Sequence, residues 1–195
     1  MGKEAGAFWG LVGREGLSGE GDLNGEPFAV GAVRTNGRPL ALSIGDHALL
    51  KGGFPIIVGQ AKLTRSGQDI FATGQIWADM DYGLELLKSL RHRGADAGLS
   101  LGYRIVAHAA PTAAQQAKGI IRVLTDVLPI ELSPVLFPAQ PWAHVLEVKS
   151  TFAEVEDRLA LLLERRQQKL DALNQDADSA FARGRLLTRR LSHVA

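Results

Sequence analysis

Ser100 lies between two glycines in Gly98-Leu99-Ser100-Leu101-Gly102. A serine hydroxyl attacks a carbonyl only when a base removes its proton and the carbonyl can approach the backbone closely. Flanking glycines leave room for that approach and for N–H donors near a developing oxyanion. The same five residues also suit a glycine-rich turn in which the serine has no chemical role. His47 is the second candidate. It ends the run Ser43-Ile44-Gly45-Asp46-His47 and precedes Ala48-Leu49-Leu50, which puts an imidazole at the end of an apolar strand. Histidine suits a serine nucleophile because it accepts and returns a proton near neutral pH. Alone, His47 is equally an ordinary surface or hydrogen-bonded core residue. Glu131 is the third candidate, a single acid in the apolar stretch Leu128–Ala139. A carboxylate there must face solvent on an edge strand or hold a cation or histidine, because burying it unpaired is costly.

Gly-x-Ser-x-Gly also matches the nucleophile elbow of α/β-hydrolases, with chain order Ser100, then Asp126 or Glu131, then His144. That elbow requires a strand before the serine and a helix after it. Here the helical pattern comes before, and Tyr103-Arg104-Ile105-Val106 reads as strand.

Other chemistries find little footing. The chain has no cysteine, which excludes thiol catalysis, disulfides and Cys-ligated zinc. His92, His108, His144 and His193 lack metal-ligand spacing, and no phosphate-binding glycine loop is present. Asp22-Leu23-Asn24-Gly25-Glu26 offers oxygens at alternate positions but lacks the rest of a calcium loop, so a plain turn is expected. No metal or cofactor is expected. A formal net charge of +1 gives no whole-protein reason to expect nucleic acid or membrane as partner. The start, Met1-Gly2-Lys3-Glu4-Ala5-Gly6, lacks the apolar run of a signal peptide, and no stretch approaches a bilayer span, so the cytoplasm is the expected compartment.

The elements that must position these residues follow from glycine and proline. Of 22 glycines, 14 fall in the first 60 residues and only Gly184 lies beyond Gly119; all eight prolines lie at or before Pro141. Residues 1–148 therefore read as short strands joined by turns, and 149–195 as a helical tail. Buried strands are expected at 28–33, 39–44 and 54–58, with a partly alternating strand at 69–77. Asn36-Gly37 and Ser66-Gly67 read as hairpin turns. Leu84, Leu87 and Leu90 or Arg91 give a helix over 81–93, capped by Asp79 or Asp81 and stopped by Gly94. Strands resume at 100–107, 120–124, 131–137 and 143–148. Strands, one helix, strands, then a long helix make an α+β domain around a mostly antiparallel sheet or barrel. In the tail, Leu159, Leu163, Leu170, Leu173, Ala177 and Ala180 fall near heptad spacing. It reads as an amphipathic helix that packs on its own domain or on a copy of itself, or as a docking element. Its basic end carries Arg183, Arg185, Arg189 and Arg190. Arg104 and Arg122 read as ordinary exposed strand arginines.

The order of segments resembles the prohead (capsid maturation) proteases of tailed phages and phage-derived gene transfer agents. The resemblance rests on Gly45-Asp46-His47-Ala48, on Gly98-Leu99-Ser100-Leu101-Gly102-Tyr103-Arg104-Ile105-Val106, and on Glu131-Leu132-Ser133-Pro134-Val135-Leu136-Phe137-Pro138-Ala139-Gln140-Pro141. It covers roughly residues 25–148. Ala48 stands where the family often has Asp, so His47 is matched less closely than Ser100. The resemblance implies a β-barrel flanked by helices, as in the herpesvirus assembly protease. It implies a serine endopeptidase with Ser100 as nucleophile, His47 as base and Glu131 as the group orienting His47. It also implies scaffold segments and major capsid protein as substrates, self-cleavage, action inside the procapsid, and a scaffold-like tail through which copies could associate. A catalytically inactive capsid scaffolding protein is the alternative from another class.

Overall fold

In the computed structural model, the described residues are 5–16, 22, 24–44, 56–149, 160–161 and 163–173. Seven strands form a closed barrel in the order β1-β4-β3-β2-β6-β5-β7. They are β1 Ala5–Arg14, β2 Leu40–Ile44, β3 Ile56–Ser66, β4 Asp69–Trp77, β5 Gly98–Ala109, β6 Val123–Val135 and β7 His144–Lys149. Every neighbouring pair is antiparallel except β2 with β6, and β1 pairs with β7 to close the ring. Helix α1 spans Asp81–Arg93, and a short α2 spans Ala113–Gln116. The chain divides into two compact units, Met1–Glu156 and Asp157–Ala195. In the second unit, residues 160–161 and 163–173 are helical. The remainder of the expected tail helix lies outside the described residues.

The core is built by alternation. Phe8, Leu42, Val58, Ile70, Ile76, Leu99, Leu124, Leu132 and Val145 turn inward from the strands, and Leu87 and Leu90 add the apolar face of α1. Two acids, Glu15 and Glu131, are fully buried in this wall. Glu15 accepts from the backbone N–H groups of Gly31 and Val33 at 2.9 and 2.8 Å and from Arg65 at 3.0 Å.

Several expectations change in the fold. Residues 28–33 form isolated bridges at Phe28 and Val33 rather than a strand. Asn36-Gly37 lies in bends leading to β2 and closes no hairpin, whereas Gly67, at φ 60°, does turn β3 into β4. The α1 N-cap position is Met80, with no side-chain cap; Asp81 sits in the first turn instead. The expected strands at 120–124 and 131–137 overlap one long strand, β6, which spans Val123–Val135 through Pro129 and Pro134, while 120–122 and 136–137 lie outside it. Strand β1 was not among the expected elements.

Candidate active site

Ser100 stands inside β5, which continues to Ala109, so Gly98–Gly102 is not a strand-to-helix elbow. The α/β-hydrolase reading fails on this point and on the sheet, which is antiparallel except at β2 and β6. Leu99 and Leu101 belong to the core, so Ser100 and Gly102 occupy the opposite face of β5. Across the ladder, Ser100 is the register partner of Ser133, and Gly102 that of Glu131. The same parity applies on β6, where Leu132 turns inward and Glu131 and Ser133 turn the other way.

Strand β2 lies on the far side of β6, with Ala41 opposite Glu131 and Leu42 opposite Leu132. Directly opposite residues in a parallel pair share a face, which brings Ser43 beside Ser133. Ser43 Oγ donates to Glu131 Oε2 at 2.7 Å and lies 3.1 Å from Ser133 Oγ. Glu131, Ser43 and Ser133 are all 0% exposed, whereas Ser100 is half-buried. The solvent-facing alternative for Glu131 is therefore excluded. Its carboxylate is a buried, hydrogen-bonded group on the face that carries Ser100, two register pairs along the strands. Sequence reading missed Ser43 and Ser133, because a serine in an apolar strand carries no signal until the register is known.

His47 lies outside the described residues. It follows Ser43 by four positions in the chain, which the backbone can span over at most about 14 Å. His144, on β7, is the register partner of Gly98, and its Nδ1 sits 2.6 Å from the carbonyl oxygen of Trp142.

Gly98 has a packing role that accounts for its place in the motif. A Cβ there would sit 2.8 Å from Pro138 Cδ and 2.9 Å from the Val135 carbonyl oxygen. The segment after β6 thus lies directly against the start of β5, which explains why the Phe137-Pro138-Ala139 stretch accompanies the serine motif. Phe137 itself is 88% exposed.

Arg122 is half-buried just before β6 rather than exposed on a strand, and it donates from Nε to Glu26 at 2.7 Å, while Arg104 is exposed on β5 opposite Leu128. Asp22 accepts the backbone N–H groups of Asn24 and Glu26 at 2.9 Å, forming the expected turn, and burial raises its carboxyl above the ordinary value. The Tyr103 phenol, packed edge-on against Phe28, is pushed up mainly by burial and also by the charges of Asp22 and Glu26. A cleft of about 600 Å³ opens between β3 and β6, lined by Arg38, Lys62, Pro129 and Ile130 among others. It contains none of Ser100, Glu131 or Ser43 and so is not where a serine reaction would occur. Among the described residues, no group of three or more histidine or acidic side chains could hold a metal ion. No helix there is long and apolar enough to cross a membrane.

A sequence model of the family described as Caudovirus prohead serine protease matches residues 59–158. The matched segment runs from β3 to beyond β7 and contains both Ser100 and Glu131; His47 precedes it. No curated protein and no solved structure matches the chain.

Proposed function

The chain belongs to the caudovirus prohead serine proteases, and on that premise we propose that it is a serine endopeptidase with Ser100 as nucleophile, His47 as general base and Glu131 as the group that orients His47. In this reading His47 takes the proton from Ser100 Oγ as the oxygen attacks the scissile carbonyl carbon. The imidazolium then gives that proton to the leaving amine. A water activated by the same base hydrolyses the resulting ester and frees Ser100. Glu131 faces the imidazolium that forms at each step and stabilises its charge. The observation that supports this most is the buried Glu131 carboxylate on the face of Ser100, two register pairs along the ladder. An acid buried there must be offset by a partner of opposite or transient charge.

The substrates in this reading are scaffold segments and the major capsid protein inside the procapsid, with cleavage of the chain itself as a further product. A protease of tailed phages or of a related gene transfer agent would have this role. We propose that residues 1–148 perform the chemistry, and that the helical tail over 149–195 docks the barrel on the assembling shell or on a second copy. The test is labelling with a fluorophosphonate probe followed by peptide mapping. Modification confined to Ser100, and lost in Ser100→Ala, is expected. A folded protein that takes up no label would be a scaffolding protein and not an enzyme.

A further inference from the structure

The buried hydroxyls of Ser43 and Ser133 belong to no step above, yet they form the best-connected polar cluster around Glu131. We infer that Ser43, backed by Ser133, is a positioning residue that fixes the Glu131 carboxylate for catalysis; this rests on the role proposed for Glu131. A carboxylate only accepts hydrogen bonds, so the proton of Ser43 Oγ, 2.7 Å from Oε2, points at Glu131. Ser43 has then spent its one proton, and the 3.1 Å contact with Ser133 Oγ must be donated by Ser133. The two hydroxyls thus form a directed chain, Ser133 to Ser43 to Glu131, with each dipole's positive end toward the acid.

Its placement has a clear consequence. Ser133 is the register partner of Ser100, and Ser43 is the second-last residue of β2, the strand that precedes His47 in the chain. The chain therefore ties the acid to the strand before the base and to the residue across from the nucleophile. All three side chains are fully buried, so bulk water does not compete for these bonds. Paired hydroxyls beside a buried acid are what an orienting role needs.

The test is a double-mutant cycle read by kcat, KM and the rate of fluorophosphonate labelling on protein whose fold is checked by circular dichroism. Ser43→Ala should lower kcat and the labelling rate about tenfold, the kinetic equivalent of one hydrogen bond to a charged group, with KM unchanged. Ser133→Ala, which acts through Ser43, should cost about threefold on the same scale. In the Glu131→Gln background, Ser43→Ala should cost less than about twofold, because groups that act as one unit are non-additive. Ser43→Thr, which keeps the hydroxyl, should recover most of the rate. An equal Ser43→Ala loss in both backgrounds, or a loss in KM alone, would overturn the inference. Wild-type rates in Ser43→Ala beside a slowed Glu131→Gln would sink the positioning role and leave the triad standing. A Glu131→Gln protein that is itself unimpaired would remove the acid from the reaction, and the inference with it.

Discussion

Replacing Glu131 by glutamine keeps the side chain's volume and leaves an oxygen that can still accept from Ser43 Oγ, now at 2.7 Å from the carboxylate. The fold should survive, because no cavity opens and the amide oxygen keeps the bond from Ser43; the new amide N–H groups are buried donors whose cost the thermal midpoint reads. What disappears is a negative charge in a site with no solvent exposure. If that charge faces the imidazolium at contact distance, about 4 Å between charge centres, the pair is worth roughly 4 kcal/mol at the effective dielectric of a protein site. At about 1.4 kcal/mol per power of ten, kcat should fall roughly a thousandfold. Most of that loss should appear in kcat, because the imidazolium exists only as the reaction proceeds. The assay is hydrolysis of a peptide from the capsid protein's processed region, with the labelling rate as a substrate-independent check. Cleavage at the wild-type rate by folded Glu131→Gln would refute the reasoning. A large drop in thermal midpoint would instead show that the acid matters to the barrel.

Three further outcomes follow from the same geometry. His47→Ala should abolish cleavage to the level of Ser100→Ala, with the double variant little worse, whereas His144→Ala should cost only modest stability; a dead His144→Ala beside an active His47→Ala would reverse the choice of base. Gly98→Ala would drive a Cβ to 2.8 Å from Pro138 Cδ and 2.9 Å from the Val135 carbonyl oxygen, so stability should fall by about 1–3 kcal/mol. An unchanged melting temperature would show that the packing role of Gly98 is wrong. Asp22 has its carboxyl raised by burial above 3.8, so the folded state binds that proton more readily than the unfolded chain, and ionisation at neutral pH works against folding. Asp22→Asn keeps an acceptor for the two backbone N–H groups and should melt higher than wild type at pH 7; the advantage should shrink as pH falls toward 3.8. A variant no more stable at pH 7 would contradict this.

The sequence was most readable where one residue type has one physical meaning. The α1 pattern of Leu84, Leu87 and Leu90 leads directly to the helix Asp81–Arg93, and Gly94 stops it with φ 54°. The β3–β4 turn at Ser66-Gly67 was equally plain. Strand β1 was hidden by Gly6, Gly10 and Gly13, which weaken any strand pattern. Two of these glycines allow close packing: a Cβ at Gly10 would lie 2.4 Å from the His144 carbonyl oxygen, and one at Gly6 would meet Leu87 at 2.5 Å. Strand β6 was split in the reading because proline normally argues against an interior strand. Here the β5–β6 register shifts between Gly102 and Tyr103, next to Pro129, so the strand tolerates it. Ser100 was legible from its flanking glycines, although Gly98 is required for packing against Pro138. Glu131 was legible as an acid needing a partner, but only burial chose between solvent and partner. Ser43 lies 88 positions from Glu131, and only the parallel β2–β6 pairing brings them together.

That dependence on register ties the site to the barrel more tightly than a loop-borne site would be. Along β5 and β6 the side chains alternate between core and site, with Leu99, Leu101 and Leu132 turned one way and Ser100, Glu131 and Ser133 the other. A slip of one residue between strand and core would exchange the two sets, burying Ser100 in the core and exposing Leu99. The leucines therefore hold the chemistry in register as well as filling the interior. The shift between Gly102 and Tyr103 falls just past the last site pair, so 98–102 and 131–135 keep an uninterrupted register across all the site residues on these two strands. Placing Ser100 in a strand interior exchanges a loop's freedom for a proposed nucleophile whose position relative to the buried acid is set by the ladder itself.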